Sequence, residues 1–137
     1  MAVLFTNGGK LLALKILAEV YTGQKFILFT NDITLTEATV LGDLTEAAYS
    51  GYIRQTPVLD TLGMAGSDGE AVMETVTFIC DSEIAEVDVH GWGLIGNYPV
   101  TEEPTLIFVE KFSPYLVVSH VDDKVEFDVT FKDRQSA

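Results

Sequence analysis

Polar and apolar residues alternate most regularly near the end of the chain. Over residues 125–132, Val125, Phe127, Val129 and Phe131 interleave with Glu126, Asp128, Thr130 and Lys132. A period of two predicts a strand with one buried face. The same reading predicts strands over 26–30, 52–59, 72–79, 84–95, 105–112 and 115–120. Ser113-Pro114 divides the last two, and Asp122-Asp123-Lys124 forms the hairpin turn before the final strand. Pro57 marks strand 52–59 as an edge or a bulge, because proline cannot donate to a ladder. Gly63, Gly66 and Gly69 within seven residues predict an exposed, mobile loop. The inward set is Phe78, Val87, Val89, Phe108, Phe127 and Phe131, joined by Phe26 and Leu28 or by Ile27 and Phe29.

One stretch has a helical period. From Lys10 to Tyr21, Leu11, Leu12, Leu14, Ile16, Leu17 and Val20 are apolar while Lys10, Lys15 and Glu19 are polar. Thr6 or Asn7 can cap its start, and Gly23 can end it. The predicted docking face is Leu12, Ile16 and Val20. The expected fold is therefore mainly β: an antiparallel, jelly-roll-like β-sandwich of about seven or eight strands with one N-terminal helix. At 137 residues the chain is read as a single domain, 1–137.

Between strands 26–30 and 52–59 lies a long polar segment built around Asn31, Asp32, Thr34, Thr36, Glu37, Asp43, Thr45 and Glu46. A connection of that length in a small domain is a functional loop or carries turns of its own. A short helical turn within 36–44, capped by Thr34 or Thr36, is expected.

Charge narrows the partners. Eight basic against 21 acidic residues give a net charge of −13, a field that repels phosphate backbones and anionic lipid. Neither nucleic acid nor a membrane is an expected partner. Residues 1–10 lack the pattern of a signal peptide, and the apolar run 11–20 is too short to span a bilayer. The lone Cys80 allows no intrachain disulfide.

No catalytic, cofactor or metal site is expected. Gly91-Trp92-Gly93-Leu94-Ile95-Gly96 matches GxGxxG in form, but Pro99 and Pro104 follow where a dinucleotide fold needs a helix. Gly91 and Gly93 are read instead as making room in a strand beside Trp92. His90 and His120 have no metal-ligand spacing, Cys80 lacks a CxxC partner, and Ser67 lies in no GxSxG. The pairs Glu102-Glu103 and Asp122-Asp123 are turn acids, and Asp68-Gly69-Glu70 is too short for a calcium loop.

Several motifs carry a resemblance. FTNGGKLLAL, FILFTND, LGDLTEAAYSGYIRQ, VHGWGLIG and LIFVEKF, in this order, resemble a family of small tailed-phage virion structural proteins. The matching positions are Phe29, Thr30 and Asn31; Asp43 to Ala47; Gly51, Tyr52 and Arg54; Gly91 to Gly93; and Glu110 to Phe112. The chain departs from that pattern at Gly96-Asn97, where an Asp is typical. The resemblance implies a capsid decoration (cement) protein, a homotrimer located in the virion, whose partner is the major capsid protein or another virion protein. Its implied alternative is a small tail, baseplate or fibre protein binding a carbohydrate or receptor, with Tyr49, Tyr52, Trp92, Tyr98 and Tyr115 as stacking faces. Partner contacts are expected from Phe5, Thr6 and Asn7 and from Ile33, Leu35, Val40 and Leu44, apolar anchors in a polar segment.

Overall fold

The computed structural model describes residues 6–18, 23–96 and 104–133. It is mainly β, with one α-helix, α1 (Asn7–Ala18), and eight strands: β1 (Lys25–Phe29), β2 (Leu59–Ala65), β3 (Asp68–Met73), β4 (Val76–Ile79), β5 (Val87–Gly96), β6 (Thr105–Val118), β7 (Lys124–Phe127) and β8 (Thr130–Asp133). All pairings are antiparallel, in the orders β1-β5-β6, β2-β3-β8 and β4-β7. The three sheets share one core, to which Phe26, Trp92, Met73, Phe78, Val125 and Phe131 all contribute.

The second and third sheets are one long ribbon with a fault. β3 runs into β4 and β8 pairs back where β7 ends, but three residues (73–75) on one side face two (128–129) on the other. That extra residue is a bulge, and it changes the phase of side-chain alternation. Ala71 and Met73 point inward before it; Val76 and Phe78 point inward after it. The single strand expected over 72–79 is thus two, with Val72 off the core face. Across from it the period of two in 125–131 survives the break, with Val125, Val129 and Phe131 buried and Phe127 packed against the core.

β6 is one strand where two were expected. Between Lys111, opposite Gly91, and Leu116, opposite Val89, four β6 residues face His90 alone. Pro114 has no N–H to give to a ladder, so the chain bulges there and resumes pairing with the same neighbour. The turn through Asp122 is present, with φ 68 at that residue. It joins no hairpin: β6 pairs with β5, whereas β7 pairs with β4.

The glycines at 63, 66 and 69 form a hairpin, not a mobile loop. Gly66 (φ +65) supplies the turn between β2 and β3. Gly69 is buried against α1, where an added Cβ would sit 3.0 Å from Leu14 Cδ1.

Helix α1 starts as expected, with Thr6 as its cap: Gly9 N–H donates to Thr6 Oγ1 at 3.1 Å. It docks on the other face from the one expected. Leu14 and Lys10 are buried against the β2-β3 hairpin, whereas Leu12 and Ile16 are 60% and 44% exposed. Lys10 lays its stem on the sheet and donates from Nζ to the Ser67 carbonyl at 2.9 Å. Val20 and Tyr21 lie outside the described residues.

In the core, Phe127 meets the rings of Phe26, Phe78, Trp92 and Phe112 at centroid distances of 5.9, 6.2, 5.2 and 5.8 Å. Phe108, expected inside, is 40% exposed and stacks on Phe131 at the rim. Both alternatives for β1 hold at once, since Phe26, Ile27, Leu28 and Phe29 are all fully buried. A short strand buried on both faces is a continuous apolar run without alternation.

Candidate interaction surface

The segment after β1 returns along that strand's free edge and takes the place of a neighbour. Phe26 N–H donates to Gln55 O at 2.7 Å and Gln55 N–H to Phe26 O at 3.1 Å; Ala47 N–H donates to Leu28 O at 2.9 Å; Thr30 N–H donates to Thr45 O at 2.8 Å. The Leu28 N–H has no backbone acceptor and donates to the Tyr52 hydroxyl at 3.1 Å. A side chain thus completes the edge of a buried strand whose polar groups need partners. Of the strand expected over 52–59, Gln55 makes an isolated bridge, the Val58 carbonyl accepts from Glu74 N–H at 2.8 Å and Leu59 opens β2, while Pro57 is buried against the body.

Tyr52 is itself held. Its hydroxyl donates to Glu46 Oε2 at 2.8 Å, and Arg54 grips both oxygens of that carboxylate at 2.9 and 2.8 Å. Burial alone would raise the Glu46 pKa, but the hydrogen bonds from Arg54 and Tyr52 outweigh it and leave the group below its ordinary value. Burial raises the Tyr52 phenol well above its usual range. The chain turns into Tyr52 at Gly51 (φ +89), where an added Cβ would press on the Ile79 carbonyl oxygen at 2.9 Å.

Residues 32–44 form an Ω-type loop closed at its base by one side chain. Asn31 Nδ2 donates to Asp43 O at 2.9 Å, and Asn31 Oδ1 accepts from Thr45 N–H at 2.8 Å. Inside the loop, Thr39 Oγ1 accepts from Thr36 N–H and Asp43 Oδ2 from Val40 N–H, both at 2.9 Å. The one helical turn is the 3-10 turn Leu41–Asp43, later in the segment than either threonine cap would place it. Lys111 of β6 pairs with Asp32 at the root of the loop and holds that carboxyl below its ordinary pKa.

The expected contact residues fall in two places. Ile33, Leu35 and Leu44 are half-buried in the loop, and Val40 at its outer turn is 57% exposed. Thr6 and Asn7 lie at the start of α1, which packs on the β2-β3-β8 sheet, and Phe5 lies outside the described residues. Leu12 and Ile16, expected to dock the helix, face outward instead, and Ile53 and Val58 are exposed within the segment expected as a strand.

The expected stacking aromatics are mostly internal. Trp92 is 7% exposed and Tyr49 is buried; Tyr52 stacks on Phe78 at 5.5 Å. Tyr115 is exposed beside His90, and Tyr98 lies outside the described residues. Among the described residues, no group of three or more His, Cys, Asp or Glu side chains converges as a metal site. No protein-family model, curated protein or solved structure matches this chain.

Proposed function

We propose that this protein is a non-enzymatic virion structural protein, a capsid decoration protein that binds the shell as a homotrimer. The observation that carries this reading is the braced loop 32–44. It is closed by Asn31, rooted by Lys111–Asp32, and offers Val40 with half-buried Ile33, Leu35 and Leu44 among threonines and acids. A pre-ordered surface of that composition stays soluble alone and loses little entropy when it docks. Among the residues that carry the phage-protein resemblance, Phe29 to Asn31, Asp43 to Ala47, Gly51, Tyr52 and Arg54 lie in or beside this brace, whereas Gly91 to Gly93 and Glu110 to Phe112 belong to the strands behind it.

A homotrimer lets three modest contacts act together by avidity. The exposed stripe of Leu12 and Ile16 on α1 gives apolar area for contacts between copies. The tail-fibre alternative loses support because Trp92, Tyr49 and Tyr52 pack inward and offer no coplanar stacking platform.

The test is to add purified protein to shells that lack it and image them. Decoration at symmetric positions, abolished by Val40→Asp, is the expected result. Deletion of residues 1–5, which spares the Thr6 cap, measures what that segment adds to binding. Binding confined to tails or baseplates transfers the assignment to the alternative.

A further inference from the structure

β6 and β8 are each the last strand of their sheet, and a cleft of about 250 Å³ separates them. Residues 108–110 line it on one side and 128–132 on the other. Consecutive residues of a strand point to opposite faces, so a cleft lined by unbroken runs meets the strand edges themselves. Trp92, Val129 and Phe131 lie at its floor, where Phe108, 40% exposed, stacks on Phe131 at 5.1 Å. Val109 is half-buried, and Glu110, Asp128, Thr130 and Lys132 are exposed.

The backbone of both edges is turned towards this cleft. Met73 N–H donates to Val129 O at 3.0 Å, in register with the β3–β8 ladder. Backbone groups alternate in direction along a strand, so Val129 and Phe131 spend theirs on β3 while Thr130 and Lys132 turn theirs the other way. On β6, a Cβ on Gly91 would meet the Glu110 carbonyl oxygen, and one on Gly93 would lie 3.5 Å from that of Phe108. Those two carbonyls therefore face β5, and the N–H and C=O of Val109 between them face away. The three outward-turned residues, Val109, Thr130 and Lys132, all line the cleft. Among the described residues, no backbone bond joins β6 to β8 or reaches these outward groups.

The charge at the opening is one-sided. Lys132 is matched by Glu70 at 3.3 Å, whereas Glu110 enters no ion pair among the described residues and Asp128 has the Thr75 hydroxyl as its donor. Two free edges call for an extended backbone, the aromatic floor for an apolar side chain, and the carboxylates for a cation.

We propose that the cleft between β6 and β8 is a strand-acceptor site for an extended segment of a partner protein, apolar at alternate residues and flanked by basic ones. The segment pairs with Val109 on one side and with Thr130 and Lys132 on the other. Its apolar side chains cover Phe108, and its basic ends meet Glu110 and Asp128. Bound there, it joins the β1-β5-β6 and β2-β3-β8 sheets into one. The inference goes beyond the decoration reading and does not depend on it.

The test uses the full chain, labelled for amide NMR and hydrogen exchange, and the capped peptide acetyl-Lys-Thr-Val-Thr-Val-Thr-Lys-amide. In the dilute free chain the amides of Val109, Thr130 and Lys132 should exchange fast. The peptide should give saturable shifts confined to residues 106–112 and 128–133 and slow those three amides about tenfold or more. The same peptide N-methylated at every second residue keeps its side chains but loses its donors along one edge, and should bind about tenfold more weakly. Thr130→Pro removes an N–H that β3 does not use, so it should keep the fold and lose the peptide. If that variant fails to fold, the N-methylated peptide still decides the matter on the unsubstituted chain. Slow exchange of the three amides in the dilute free chain would mean that the chain fills the cleft itself; concentration-dependent shifts without peptide would mean that a second copy does. Either result overturns the inference, as do shifts outside the cleft, no shifts, or equal binding of the N-methylated peptide. Peptide binding by a chain that decorates no shell would support the cleft and overturn the decoration reading alone.

Discussion

The ring of Phe29 occupies the space that a side chain on Gly91 would need. The two residues are opposite each other in the β1–β5 ladder. A Cβ on Gly91 would lie 2.6 Å from Phe29 Cε1 and closer still to Cζ and to the Glu110 carbonyl oxygen. The glycines flanking Trp92 therefore serve packing: Gly91 admits Phe29, and Gly93 admits Leu106 and Ile27.

Gly91→Ala should accordingly destabilise the protein by about 1–3 kcal/mol or more, since the Glu110 carbonyl is backbone and the Phe29 ring is fully buried, so neither group can turn away. Gly93→Ala should cost less, because its nearest neighbour is the movable tip of Leu106 at 3.0 Å. Urea unfolding of both variants checks the order. Equal, negligible losses would mean that β1 and β5 are less closely apposed than described.

Tyr52→Phe should cost about 1–3 kcal/mol, because it strands the buried Leu28 N–H and removes a donor from Glu46. Glu46→Gln should cost less, since its Arg54 partner is 43% exposed and solvent screens the pair. The Glu46 pKa is lowered on folding. Its contribution is thus fully present above the unfolded value near 4.5 and is lost as pH falls through the folded one. Unfolding curves from neutral pH downward should show the unsubstituted protein and Glu46→Gln converge in stability at the acid end.

Phe127→Ala should cost about 3–5 kcal/mol, as four rings lose a common neighbour. Phe108→Ala should cost no more than about 1.5 kcal/mol, because much of that ring is already in solvent. Chemical denaturation of the pair decides whether the hub is correctly placed.

His120 and Glu83 form an exposed pair at 2.7 Å. The hydrogen bond to Glu83 raises the histidine pKa above 6.5, and the same bond lowers that of Glu83. The pair's contribution is complete below the unfolded histidine value and fades as pH rises through the folded one; it also fades as pH falls through the Glu83 value. An NMR titration should place the His120 midpoint above 6.5, and Glu83→Gln should move it down.

Much of this fold was legible where one periodicity ruled. The alternation over 125–131 survived because the bulge inserts its extra residue in the opposing strand, at 73–75. That same bulge spoiled the reading of 72–79, since two phases of alternation cannot be told from one irregular strand. The helix face was misread because 10/14 and 12/16 are equally good stripes, and the burying one contains a lysine. Gly63, Gly66 and Gly69 signalled a loop by composition, while the packing of Leu14 on Gly69 is a tertiary fact. For the surface, the length and polarity of 31–50 marked a special segment. Its brace through Asn31, Glu46, Tyr52 and Arg54 could not be read, because those residues meet only once the chain has turned back on β1.

Whether this chain decorates a shell is decided by counting its copies in a purified particle. Quantitative mass spectrometry against the major capsid protein gives that number. The decoration reading predicts on the order of hundreds of copies, following the symmetry of the shell. A handful of copies per particle, matching the rotational symmetry of a tail, would contradict it.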